Sequence, residues 1–119
     1  LPLRTPTDRR LGGPLLVSDS DLCVLLSNAL ENALHACQNL PAAGTARIIS
    51  VEGYEQAGRL FLQVTNPCGD PVRFENGIPI SSRPGHGLGV QSICAIVKRY
   101  GGVCSFSVNN GIFLLRLSL

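Results

Sequence analysis

The chain has 119 residues, a net charge of +2 and 45% hydrophobic residues. That suffices for one domain burying roughly two-thirds of its unfolded surface in a single core. No stretch approaches the ~18 uninterrupted apolar residues of a membrane span. Basic residues are scattered apart from Arg9-Arg10 and Lys98-Arg99, and with four Phe, two Tyr and no Trp there is no footprint for nucleic acid.

The chain opens Leu1-Pro2-Leu3-Arg4, without a methionine or a charged-then-apolar leader, and is expected to be an excised piece of a longer protein. Residues 1–17 contain Pro2, Pro6, Gly12, Gly13 and Pro14 and read as a linker or a truncated first strand. Ser18-Asp19-Ser20-Asp21 supplies a helix start: Ser18 or Ser20 caps, and the acidic residues suit the positive end of the helix dipole. The first helix then runs to about Asn39 and stops before Pro41.

This helix carries two stripes. One is apolar, through Leu22, Leu25 or Leu26, Ala29 or Leu30, Ala33, and Ala36 or Cys37. The other places Asn28, Asn32 and His35 on one face. Asparagine is a mediocre helix former because its side chain competes for backbone hydrogen bonds. Two on one stripe therefore point to a ligand or a polar network, and Glu31 reads as solvated.

Residues 46–53 and 59–65 read as strands joined in a hairpin through residues 54–58. From Asn66 to Pro84 the sequence is rich in Pro, Gly, Asn and Ser, which predicts a long lid or binding loop over about residues 67–85. Gly85-His86-Gly87-Leu88-Gly89-Val90 then opens a second amphipathic helix that reaches Tyr100 and ends at Gly101-Gly102. Residues 103–108 and 112–117 form a last hairpin around Asn109-Asn110-Gly111. The order helix, hairpin, loop, helix, hairpin predicts an α/β two-layer sandwich (α+β). Its sheet is mixed and mostly antiparallel, with both helices on one face.

Cysteines stand at 23, 37, 68, 94 and 104, an odd count with no C-x-x-C and no metal-ligand spacing to His35 or His86. Cys23, Cys37 and Cys94 fall among apolar helix positions and are expected to behave as small hydrophobes in a reducing compartment.

Glycines let a backbone approach phosphate closely, and the amide groups opening a helix attract anions. As a bare pattern Gly85 to Gly89 also suits a dinucleotide fingerprint, but no strand leads straight into it. Taken with Asp21-Leu22-Cys23, Asn28-Ala29-Leu30-Glu31-Asn32-Ala33 and Tyr100-Gly101-Gly102, it resembles the ATP-binding domain of sensor histidine kinases. These share a superfamily, and the Bergerat-type ATP-binding fold, with gyrase, a heat-shock chaperone and the mismatch-repair ATPase MutL. Within it the likeness is to the kinases that act as receptors for quorum-sensing peptides in Gram-positive bacteria, the Agr type. It covers about residues 15–119 and is specific in the two motifs and their order.

The resemblance implies ATP and Mg²⁺ as cofactors, with Asn32 as the metal ligand through its side-chain oxygen. Asn28 takes the place where ATP-hydrolysing relatives hold a water-activating glutamate, which implies phosphoryl transfer to a protein acceptor. His35 stands where the family often has a basic residue on phosphate. Gly85, His86, Gly87, Leu88 and Gly89 form the phosphate-binding turn, where His86 either touches phosphate or fixes the lid end. Asn66 replaces the aspartate that reads adenine, with Asp70 as the alternative. Arg83 is either a γ-phosphate clamp or a solvated loop charge.

The implied partners are a phosphoacceptor and dimerisation domain of the same kinase and a response regulator. The implied location is the cytoplasmic side of a membrane-anchored bacterial receptor, and residues 18–119 alone are expected to be monomeric. A free-standing serine kinase of the anti-sigma-factor kind and a degenerate nucleotide-binding scaffold are the alternative readings.

Overall fold

Ser18 decides where the first helix begins. Its Oγ accepts from the Asp21 backbone N–H at 3.1 Å, and its carbonyl accepts from Leu22 N at 3.0 Å. This cap satisfies a donor that has no partner inside the helix. The computed structural model describes residues 17–38, 40, 47–69, 72–80 and 88–119. Helix α1 spans Asp19–Gln38, followed by strands β1 (Ser50–Gln56), β2 (Arg59–Pro67), β3 (Arg73–Glu75) and β4 (Ile78–Ile80). Helix α2 (Leu88–Arg99) and strands β5 (Val103–Asn109) and β6 (Ile112–Ser118) complete the order.

The main sheet has the order β1-β2-β6-β5, and all its pairings among the described residues are antiparallel. The last hairpin places β6 beside β2, so that Leu62 pairs with Leu117 and Asn66 with Phe113. Leu60 and Leu119 exchange backbone hydrogen bonds of 3.2 and 2.9 Å, which carries this central pairing to the last residue. Three tight turns join the hairpins at Ala57-Gly58, Asn76-Gly77 and Asn110-Gly111. Each has both central residues at positive φ, between 52° and 78°. Such turns follow the right-handed twist of the strands they join.

Alternation decides which sheet face packs. Leu60, Leu62 and Val64 of β2, Phe113, Leu115 and Leu117 of β6, and Phe106 of β5 are buried. Their apolar counterparts on the helices are Leu25, Ala29 and Ala33 of α1 and Val90, Ile93, Ile96 and Val97 of α2. The α1 helix rests on β2, α2 on β5, and the two helices pack against each other. Both helices therefore lie on one face, as the element order predicts. Leu25, Leu62, Ile93 and Leu117 are the largest fully buried apolar side chains. Each contributes about 1.5–3 kcal/mol by leaving water.

The structure amends three expectations. The first strand begins at Ser50, and Ile48 before it is 67% exposed. The segment after Asn66 is not all loop: β2 continues through Pro67, and β3 pairs with β4 in a small hairpin of its own. Its signal was Phe74, Ile78 and Ile80 flanking Asn76-Gly77, a turn pair that outweighs the surrounding prolines and glycines. Cys23 is exposed rather than packed, because the buried stripe of α1 runs through Leu25, Ala29, Ala33 and Cys37 and turns position 23 outward. Of the alternatives on the apolar stripe, Ala29 and Cys37 are the buried members, while Leu30 is 37% exposed and Ala36 lines a cleft.

The end of α2 is tied to the start of α1. Gly101 N donates to Lys98 O at 3.0 Å and Gly102 N to Val97 O at 2.9 Å, with Gly101 at φ 67°. This is a Schellman ending, which satisfies carbonyls the helix leaves open. A Cβ at Gly102 would stand 1.9 Å from the Ser118 carbonyl oxygen, so only glycine allows this turn to lie against β6. Just before it, Tyr100 Oη accepts from Ser18 N at 3.1 Å and donates to the Asp21 carboxylate. Arg99 Nη1 donates to the other Asp21 oxygen at 3.0 Å. The bond from Tyr100, with smaller contributions from Ser18 and Arg99, holds the Asp21 carboxyl below its ordinary value against the opposing effect of desolvation.

Candidate functional site

The other end of the helix pair is open. A cleft of about 450 Å³ lies between α1, the first turn of α2, the β3–β4 hairpin and the near end of the sheet. Asn28, Glu31, Asn32 and His35 of α1 form its polar wall, at the i, i+3, i+4, i+7 spacing of one helix face. Leu88, Gly89 and Val90 of α2 stand opposite. Cys68, Val72, Pro79, Ile80 and Phe113 supply the apolar remainder.

Asn28 and Gly89 bring the two helices closest at this end. A Cβ built on Gly89 would lie 3.2 Å from Asn28 Oδ1, so a side chain there would push on the amide. Among the described residues no hydrogen bond is made to the Asn28 or Asn32 side chain, in contrast to the partnered groups at the other end. His35 Nε2 lies 4.0 Å from Glu31 Oε1, one turn back, and the two side chains are 48% and 69% exposed. Glu31 thus stands at the cleft rim, solvated as expected yet within reach of whatever fills the space.

Asn66 sits apart from that wall. It continues the inward series of Leu60, Leu62 and Val64 and is 2% exposed. Its Nδ2 donates to the Pro67 carbonyl at 2.9 Å, which commits the amide donor to the backbone. Asn66 is not itself among the cleft-lining residues, but its cross-strand partner Phe113 and Cys68, two residues on, are. It therefore lies beneath the cleft floor. Burial pushes the Cys68 thiol above its ordinary pKa, so this cleft cysteine is not an activated nucleophile.

The structure thus brings together Asn28, Asn32, His35, Leu88 and Gly89 around one space and sets Asn66 below it. Asp70, Arg83, Gly85, His86 and Gly87 lie outside the described residues. The apolar walls were not picked out from the sequence. They come from strands β4 and β6 and from the connection between β2 and β3, and carry no pattern of their own, although Ile78-Pro79-Ile80 after Asn76-Gly77 marks the hairpin that delivers two of them.

The donor set has a definite chemical character. Among the described residues no cluster of three or more His, Cys, Asp or Glu could hold a metal by itself. Two uncharged amides at the helix wall suit a hard cation that takes few protein oxygens and completes its shell with water and phosphate, which is the habit of Mg²⁺. The absent Cβ at Gly89 lets the Asn28 side chain lie against the first turn of α2, beside backbone amides at a helix start, which attract anions.

A two-layer α/β domain with a polar helix wall facing a glycine-opened helix start is a nucleotide-binding architecture. The sequence matches the GHKL domain family over residues 18–119, and the chain belongs to that family of ATP-binding domains, whose members include kinases and ATPases. No curated protein matches the chain.

Proposed function

We propose that this domain is the catalytic module of a sensor histidine kinase of the peptide-receptor type, binding Mg·ATP and passing the γ-phosphate to a histidine on a separate dimerisation domain. One observation carries the reading: the amides of Asn28 and Asn32 share the cleft wall with His35, and Asn28 lies against Gly89 in the first turn of α2. Asn32 would hold Mg²⁺ through its side-chain oxygen, and the ion would supply positive charge to offset the charge that develops on the transferred group.

Asn28 gives this chain its particular chemistry. An amide orients a water or a phosphate oxygen but accepts no proton, so the position cannot act as a general base for hydrolysis. Glu31, the one carboxylate of the described wall, is exposed at the rim, 4.0 Å from His35. The domain alone therefore holds the nucleotide and turns it over slowly; transfer waits for an acceptor imidazole brought in by the dimerisation domain. His35 contacts phosphate oxygens. Asn66, its Nδ2 already engaged, keeps Oδ1 as an acceptor for the adenine amino group. Asp70, Arg83 and the Gly85 to Gly87 turn with His86 complete the nucleotide site in this reading. The domain works on the cytoplasmic side of a membrane-anchored bacterial receptor and serves a response regulator.

Titration calorimetry with a non-hydrolysable ATP analogue, with and without Mg²⁺, tests the binding step. Magnesium-dependent binding is expected; affinity indifferent to the metal would remove Asn32 from its role. Incubating the full-length receptor kinase with labelled ATP tests the transfer. Acid-labile, alkali-stable phosphate on the receptor is the expected product, and label on serine alone would assign the domain to the serine-kinase branch.

A further inference from the structure

A second cavity, of about 600 Å³, opens away from the nucleotide cleft, between the end of α2, β5 and the tip of the β3–β4 hairpin. Two of its lining residues are cysteines from different elements, Cys94 of α2 and Cys104 of β5. Both are free and partly buried, and both pack against the same core. Both face the same cavity, and the Cys94 side chain is among the influences that raise the Cys104 thiol. The chain between them turns back through Gly101-Gly102, whose closeness to Ser118 holds the end of α2 against the sheet. Two cysteines on packed neighbouring elements that face one cavity are a candidate disulfide pair.

We propose that Cys94 and Cys104 form a reversible disulfide, a modification site whose oxidant is a low-molecular-weight disulfide. Cys94 attacks first. Its thiolate displaces one sulfur of the small disulfide, whose S–S bond breaks and whose leaving thiolate takes up a proton. The Cys104 sulfur then gives up its proton and attacks Cys94 Sγ, expelling the second small thiol. Two protein thiols are oxidised and one disulfide is reduced to two thiols, so electrons and protons balance. Burial, with Cys94 beside it, pushes the Cys104 thiol up to about 11. The cavity gives the reagent access to both sulfurs. This inference concerns the thiol pair alone and stands whether or not the cleft on the far side holds a nucleotide.

The test is exposure of the folded 119-residue chain to oxidised glutathione, then alkylation of the remaining thiols, digestion and mass mapping. The expected result is a joined peptide pair containing Cys94 and Cys104, released by dithiothreitol. Cys104→Ser should instead trap glutathione on Cys94. A Cys23→Ser/Cys68→Ser background removes two competing thiols and should leave the joined pair intact. Alkylation of both Cys94 and Cys104 in the oxidised, folded chain would overturn the proposal, as would a link that forms only in urea.

Discussion

The two ends of the α1–α2 pair are built from similar polar residues and do opposite things. At one end Ser18, Asp21, Arg99 and Tyr100 satisfy one another within a few ångströms. At the other, Asn28 and Asn32 carry no side-chain hydrogen bond among the described residues and line an open cleft. A hydrogen-bonding group left without a protein partner contributes nothing to folding beyond what water supplies. Its presence on a packed helix is therefore better explained by a ligand than by stability. The closed end sets how α2 lies against α1, and the open end uses that placement.

If the division is real, substitutions at the two ends separate folding from binding. The largest effect on folding is expected at Gly102, where a Cβ would meet the Ser118 carbonyl at 1.9 Å. Backbone cannot step aside as a side chain can, so Gly102→Ala should cost about 3 kcal/mol, a large part of a small domain's stability. Urea unfolding measures it. A midpoint unchanged from wild type would mean that the α2–β5 turn shifts freely and does not fix the helix.

Next comes Asn32→Ala, which acts at the open end. Loss of a group that merely supports a metal ligand costs 10–100-fold in affinity, so loss of the ligand itself should weaken magnesium-dependent analogue binding by about 100-fold or more. Thermal unfolding without nucleotide should be little changed, because the amide makes no hydrogen bond in the described structure. A fall in melting temperature with intact binding would reverse the assignment of the two ends.

Gly89→Ala should be milder. Its Cβ would meet Asn28 Oδ1 at 3.2 Å, and a side-chain amide can yield by a few tenths of an ångström. An effect of about 1 kcal/mol, or roughly fivefold to tenfold in nucleotide affinity, is expected in calorimetry. Doubling the change with Asn28→Ala should relieve the contact, so the pair should be non-additive. Strict additivity would mean that these residues do not meet in the nucleotide-binding form.

The sequence carried some of this contrast and not the rest. Helical periodicity set Asn28, Asn32 and His35 on one stripe without any tertiary knowledge, and Glu31 belongs to the same stripe by the same count. Alternation in β2 and β6 told which residues face the helices. The closed end was half visible: Ser18 and the acidic first turn could be read as a cap, whereas the pairing of Asp21 with Tyr100 and Arg99 joins residues 78 and 79 positions apart. Nothing local encodes such a meeting. The same holds for Phe113 and Cys68 in the cleft, which are neighbours only because β6 inserts beside β2. Asn66 shows a third case. Its polarity drew attention, but its place in the inward series of β2, and hence its burial under the cleft, depends on that strand running on through Pro67.

The smallest effect tests the closed end by pH. Tyr100→Phe removes the bond to Asp21 and the acceptor for Ser18 N, and should lower the melting temperature modestly at neutral pH. Because the folded carboxyl of Asp21 titrates below its ordinary value of 3.8, its contribution is complete above that pH and is lost as the solution is acidified through the lower folded value. Removing the hydroxyl lets the carboxyl return toward its ordinary value. The gap between wild type and variant should therefore stay constant from neutral pH to about pH 4, then narrow in stronger acid, without vanishing, because the Ser18 bond does not titrate. Melting curves at a series of pH values read this directly. A gap that stays constant into strong acid would show that the Tyr100 hydroxyl stabilises the helix junction without the Asp21 carboxylate.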